Sequence, residues 1–324
     1  MCASRSSIPA KAAAALAILS LGSTAPRAQT APSDCGLRIA SGPSGKVYAL
    51  MVNDIQAVCG SEVSVCAVPS AGGLQNLSLL AANEGDLGIV QIDVLKEMGS
   101  DESIGALQAV MPLHVNLLHV IALSDGSHVG SSSILGSVLP FTGRRQTVQR
   151  FSELKGLRIA VVGTAQLMAQ TLERQLGYGM TFLIADNDDQ AIEMLRSGEV
   201  QAVFTLGGWP LPAIARLPSN RGLALVDYDL TPSGSYVKVK RTYQNLDAFN
   251  VNFLGSPNML VSRPFKPGGA MDAKVSALQT CLRQHLDDLQ EGRFQAGWKD
   301  IKDANTTYGF KAFGAKPSAG SAAN

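Results

Sequence analysis

Between Leu37 and Val94 the chain runs twice through a short apolar strand, a glycine-turned loop and a helix, and closes on NEGDLGIVQID. A second passage, LRSGEVQAVFTLG from Leu195 to Gly207, has the same form: a helix end, an acidic glycine turn and an apolar strand ending in small or polar residues. Strands and helices that alternate in this way build mainly parallel sheets covered by helices, and two such passages predict an α/β chain with two lobes and a cleft between them. Ligands of open α/β sheets settle at the carboxyl ends of the strands, so the loops that follow those strands are where binding residues are sought.

Helical spacing of Val47, Met51, Ile55 and Val58, with Gly60 behind them, predicts the first helix, and Leu74, Leu77 and Leu80 mark the second. Val115 to Leu123 reads as a continuous apolar strand, followed by the Ser/Gly-rich stretch SDGSHVGSSS. LRIAVVG from Leu157 to Gly163 is a strand buried on both faces, and Met168, Leu172 and Leu176 lie on one side of the helix after it. VNFLGSPNMLV, between Phe249 and Ser262, reads as strand, bend, strand returning to the first lobe, and a long helix follows from Gly269 to Gly292. The expected organisation is a first lobe of residues 35–124 and 251–316, a second of residues 125–250, two strands crossing between them, and a disordered tail at 317–324.

Arg5 and Lys11, the apolar run AAAALAILSLG and the small residues up to Ala28 have the order of a secretory signal peptide over residues 1–28. The run is shorter than the roughly 20 residues of a membrane span, so a cleaved leader and a periplasmic protein are expected. Lys and Arg number 27 against 26 for Asp and Glu, which leaves no charge excess to attract nucleic acid or an anionic membrane. Export makes disulfides available to Cys35, Cys59, Cys66 and Cys281. Four cysteines allow three connectivities. A local Cys59–Cys66 bridge, leaving Cys35 for Cys281, is one of them, and free buried thiols are the remaining alternative. No C-x2-C pair occurs and the histidines are scattered, so no metal or cofactor is expected.

SGPSGKVY, from Ser41 to Tyr48, is not a phosphate loop, because Ala40 stands at the first glycine position and Val47 follows the lysine. Gly42 and Gly45 still let the backbone approach a ligand, with Ser41, Ser44 and Lys46 beside a helix N-terminus whose unpaired N–H groups suit an anion. SAGGLQN repeats that geometry with Gly72, Gly73 and Asn76, and GTAQ brings Thr164 and Gln166 to a third helix start. Each helix end contributes about 0.3 to 1 kcal/mol to holding a charge, and about 2 when partly buried. Micromolar binding requires about 8 kcal/mol, so direct side-chain bonds must supply most of it. The candidates are Tyr48, Asn76, Gln91, Asp93, Thr164, Gln166 and Trp209. Asp93 suits a ligand ammonium, a cap or a salt bridge between the lobes, and Trp209 a stacking role or ordinary core.

Catalytic patterns are weak. GPSGK lacks one residue of the G-x-S-x-G elbow, and His114 and His119, an odd spacing apart in a strand, face opposite sides and cannot share a metal. A binding protein without enzymatic activity is expected.

In order and spacing, SGPSGKVY, SAGGLQNLSLL and NEGDLGIVQIDV resemble the solute receptors of the TAXI group of TRAP transporters. FSELKGLRIAVVG is similar to a segment of many periplasmic binding proteins, and VQAVFTLGGWPLPAI looks like the matching TAXI segment. The likeness spans Leu37 to Leu123 and Phe151 to Pro218. It implies a two-lobed periplasmic-binding-protein-like fold that closes on a small organic solute, a carboxylate or amino acid, and hands it to a membrane permease. By motif position Tyr48, Asn76, Gln91 and Asp93 would line the first-lobe wall. The chain departs from the family at Lys46, where a glycine is usual, at Ala49, where an aromatic is usual, and at Gly163, Thr164 and Ala165, where the family has Gly-Ser-Gly-Thr. Residues 125–147 look like an insertion. Together with the open helix ends, the resemblance gives the expectation of a monomer that captures an anionic solute and delivers it to a TRAP-type permease. The other classes are a module presenting its liganded form to a sensor or partner, and an exported hydrolase.

Overall fold

The computed structural model describes residues 35–129, 144–219 and 222–315. The expected leader, most of the insertion and the tail lie outside the described residues. The chain folds into two α/β lobes that share one mixed sheet. In the first lobe β1 (Leu37–Gly42), α1 (Val47–Cys59), β2 (Val65–Pro69), α2 (Gly73–Ala81) and β3 (Leu87–Gln91) follow the predicted alternation. Two short helices, α3 (Ile92–Glu97) and α4 (Glu102–Gly105), lead into the long strand β4 (Gln108–Leu123). A small hairpin, β5 (Ser127–Val129) with β6 (Arg144–Gln146), flanks the insertion.

The second lobe contains β7 (Arg158–Val162), α5 (Ala165–Leu176), β8 (Thr181–Ala185), α6 (Asp188–Ser197) and β9 (Ala202–Gly207). After α7 (Pro212–Ala215) and β10 (Leu223–Leu225), β11 (Val237–Tyr243) turns into β12 (Ala248–Ser262), which returns to the first lobe. The expected single helix after it is two, α8 (Ala270–Gln284) and α9 (Leu286–Gln290), parted at His285. Within each lobe the core pairs are parallel, β1 with β2 and β3, β7 with β8 and β9. The crossing strands β4 and β12 pair antiparallel with each other and join the lobes into the order β2-β1-β3-β12-β4-β9-β7-β8. Pro257 is accommodated in β12 because the register shifts beside it, so the expected bend is a bulge in one continuous strand.

Both crossing strands carry core residues at each end. Met111 and Leu113 of β4 pack with α1 and α8, while Leu118 and Val120 pack with α5 under Phe151 and Phe204. On the opposite face of the second lobe, Ile192 and Leu195 of α6 meet Val203 and Ile121. Asp86, at the entrance to β3, accepts from the Arg38 backbone (3.0 Å) and from the Arg38 (2.9 Å) and Arg263 (3.0 Å) guanidinium groups, which binds the starts of β1 and β3 to the end of β12. Burial raises its pKa, but the arginine hydrogen bonds outweigh burial and hold the carboxyl below the usual range.

The disulfides are Cys35–Cys66 and Cys59–Cys281, with Cα separations of 5.8 and 5.9 Å. The local Cys59–Cys66 pairing is corrected by strand parity. Val65 faces the α1–α8 core in which Cys59 and Cys281 are buried, so its neighbour Cys66 points to the other side of the sheet. Cys35 reaches Cys66 because β1 and β2 run parallel, with Arg38 opposite Cys66. The Cys59–Cys281 bridge spans 222 residues, and the chain-entropy estimate for a loop of that length is about 5 kcal/mol.

Candidate functional site

Three loops at strand ends converge where the lobes meet. The β1–α1 and β2–α2 loops are bonded together: Ser70 N donates to Gly42 O (3.2 Å), and Gly42 N donates to Ser70 Oγ (3.0 Å). Gly42 (φ 77°) and Gly72 (φ 126°) occupy backbone conformations that side chains disfavour, which is what lets these loops turn sharply into α1 and α2. Across the gap, Gly163 (φ 54°) turns β7 into α5. A Cβ on Gly208, after β9, would stand 2.9 Å from Val47, so the N-terminus of α1 also abuts the second lobe.

Between these ends lies a cavity of about 220 Å³. Leu74, Gln91 and Val94 form its first-lobe wall, and Gly163, Thr164, Gln166, Leu167 and Gln170 its second-lobe wall. None of these side chains titrates. Helices α1, α2 and α5 have neither a side-chain cap nor an acidic residue in the first turn. The other helix starts are occupied, including that of α3 at the same cavity. Asp101 and Asn187 cap α4 and α6, and acidic residues stand in the first turns of α3, α8 and α9. The short α7 begins with proline instead.

The predicted residues fall into three groups. Gln91, Thr164 and Gln166 line the cavity. Gly73 begins α2 against Val90 and Gln91, and Gly72 shapes its approach. Ser44 and Lys46 are exposed beside the start of α1. A second group is committed to internal bonds. Ser41 donates to Val68 O (3.3 Å). Asn76, fully buried, donates to Ile89 O (2.7 Å) and accepts from Ser70, which fixes α2 to β3. Tyr48 donates to Asn258 Oδ1 (2.5 Å) and accepts from Asn116 Nδ2 (3.3 Å); burial drives its pKa far above the ordinary tyrosine value. Trp209 stands apart, stacked under the Arg241 guanidinium at 5.3 Å on the opposite face of the crossing strands.

Asp93 joins three elements. Its carboxylate accepts from Ser256 Oγ of β12 (2.8 Å) and from the Tyr236 hydroxyl of the second lobe (3.2 Å), so it bridges the lobes. Burial raises its pKa, and those hydrogen bonds only partly offset the shift. Arg174 of α5 meets Glu97 of α3 at 3.2 Å, and Leu167 packs against the first lobe's α2–α3 core. The Arg174–Glu97 pair is half-exposed on both sides and contributes at most about 1 kcal/mol, so Asp93 and Leu167 make the more buried contacts between the lobes.

Asn116, Ser256, Asn258 and Tyr236 were not among the sequence candidates. The first three share one face of the crossing strands through the register Ser256–Asn116 and Asn258–Gln91. A polar residue inside each apolar run is their only sequence signal. His114 and His119 are fully buried, and desolvation lowers their pKa values to about 4 and about 3, so both are neutral at pH 7. Among the described residues, Glu62, Cys281 and His285 form the one three-residue group with metal-like spacing, and Cys281 is spent in a disulfide.

No protein-family model matches the chain, and no curated protein matches it. Solved structures similar to it include the GLUR0 ligand-binding core in complex with L-glutamate, at 16% identity and a TM-score of 0.48, over 80% of this chain and 95% of that one. An ancestral arginine-binding protein bound to arginine is similar at 17% identity and a TM-score of 0.46, over 78% and 92% of the two chains. A TctC solute-binding protein from Polaromonas is similar at 13% identity and a TM-score of 0.46, over 78% and 86%. At TM-scores below 0.5 these likenesses carry no functional argument.

Proposed function

We propose that this protein is an exported receptor that traps a small organic anion, a carboxylate or amino acid, between its lobes and delivers it to a TRAP-type permease. The observation that carries the reading is the cavity shared by both lobes, onto which the unoccupied N-termini of α2 and α5 open. Oriented N–H groups at such ends favour negative charge, and the amides of Gln91, Gln166 and Gln170 add hydrogen-bonding groups without a competing carboxylate. A volume of about 220 Å³ lies below the roughly 300–1,000 Å³ of pockets for drug-sized ligands, so the solute is small. A lining without titratable side chains supports capture without chemistry. Two disulfides fit an oxidising compartment, and the TAXI-like motifs around Gly42, Gly72 and Gln91 support delivery to a permease.

The test is a thermal-shift screen of the mature protein against small carboxylates, amino acids and their neutral amides. A true solute at a hundred times its dissociation constant adds about 2.7 kcal/mol of stability, and its neutral amide adds far less. Silence across the carboxylates and amino acids, or equal shifts from acids and amides, contradicts the reading.

A further inference from the structure

The crossing strands have a second face and a second gap. Val115 alternates with Asn116 along β4, so it points away from the cleft, into a cavity of about 790 Å³. Both lobes wall it. Trp209 and Arg241 come from the second lobe, and Lys299, Asp300 and Tyr308 from the C-terminal segment that packs on the first. Leu113, Val115 and Val237 make its floor apolar.

The chemistry of this crevice differs from that of the cleft. Asp300 is already engaged, accepting from Arg241 and from Val115 N (3.0 Å), and Asp303 accepts from Asn305 N (2.9 Å). Lys302 Nζ donates to Lys299 O (3.0 Å), neither lysine makes an ion pair among the described residues, and with Lys238 and Lys240 beside them the basic residues of the lining outnumber Asp300 and Asp303. Two donors, Trp209 Nε1 and Arg241 Nε, are buried with no hydrogen-bond partner among the described residues. Arginine, lysine and the indole N–H only donate, so an acceptor alone satisfies them. An acidic head group supplies that acceptor, and the flat indole beside an apolar floor suits a planar body.

We propose that this crevice is a second binding site, for an organic anion with a flat apolar body whose acidic group meets Arg241 and Lys299 and whose body lies along Trp209. The site shares no lining residue with the cleft and stands or falls apart from the cleft reading.

Tryptophan emission reports on it directly. The chain has two tryptophans, and Trp298 is fully buried with its indole N–H on Asp54 (2.8 Å), which leaves Trp209 to sense an added ligand. Titration of the mature protein with naphthalene-2-sulfonate is expected to change the emission saturably, and naphthalene-2-sulfonamide to bind at least ten-fold more weakly. Arg241→Gln is expected to abolish the response. Should that variant fail to fold, Lys299→Ala, at an exposed position, is expected to weaken binding about five-fold. No saturable response, equal affinity for the sulfonamide, or an unchanged affinity in Lys299→Ala overturns the proposal. Loss of the response in the cleft variant Gln91→Ala overturns it too, by placing the probe in the cleft.

Discussion

Helices α1, α2 and α5 start at the meeting of the lobes with open N-termini, whereas α4, α6, α8 and α9 carry a cap or an acidic first turn, and α3, which also starts at the cavity, has its one acid, Asp93, turned onto Ser256 and Tyr236. The second group shows what stability alone selects: a capping side chain adds about 1 kcal/mol and satisfies a backbone donor. The first group forgoes that gain at the one place where strand ends from both lobes converge. On the proposed reading, the N–H groups left open at α2 and α5 beside the cavity are donors for the solute, and Gly163 leaves its part of the cavity wall without a side chain.

The comparison breaks most sharply if a cleft helix is given an acid. Thr164→Asp places a carboxylate at the start of α5, which should add about 0.5 kcal/mol to folding stability through the helix dipole. Its repulsion of a bound anion in the same cavity should cost about 2.7 kcal/mol of binding, a loss of about 100-fold by calorimetric titration. Unchanged affinity would mean that the open ends do not hold the solute.

The reciprocal change sharpens it. Asn187 Oδ1 accepts from Gln190 N (2.9 Å) at the start of α6. Asn187→Ala should lower stability by about 1 kcal/mol in chemical denaturation and leave solute affinity unaltered.

The smallest effect concerns the lobe bridge at Asp93. Its folded pKa is raised, chiefly by burial, so between the ordinary carboxylate range and that raised value the native state holds more protons than the unfolded chain. Stability must therefore fall as pH rises through that window. Asp300, raised for the same reason, adds a slope of the same sign. Asp93→Asn should flatten the pH dependence without removing it, as followed by thermal unfolding between pH 4 and 7; an unaltered slope would show that Asp93 does not titrate in this way.

Much of this was legible in the chain. Apolar periodicity and glycine turns gave the strand–loop–helix order of both lobes, because each depends only on neighbouring residues. Features that depend on register were hidden. Strand β11 was missed although Val237, Val239 and Arg241 alternate with Lys238 and Lys240, a pattern that has meaning only once β12 pairs beside it. The disulfide pairing turned on which face of β2 Cys66 occupies. Tyr48 and Asn76 read as ligand contacts by their position after glycine loops, and the structure engages them with Asn258 and Ile89, partners 210 and 13 residues away. Trp209 lies on the reverse face because the chain leaves β9 on the α6 side of the sheet, where it packs against the core that holds Leu195 and Ile214.

The most direct test of trapping between lobes is the distance between spin labels at exposed Ser78 of α2 and Glu193 of α6, measured by pulsed electron resonance with and without a solute that raises the melting temperature. Capture by closure predicts a broad distribution in the solute-free protein that collapses to one narrower, shorter distance when solute is added. The same distribution in both samples, with the solute demonstrably bound, would contradict it.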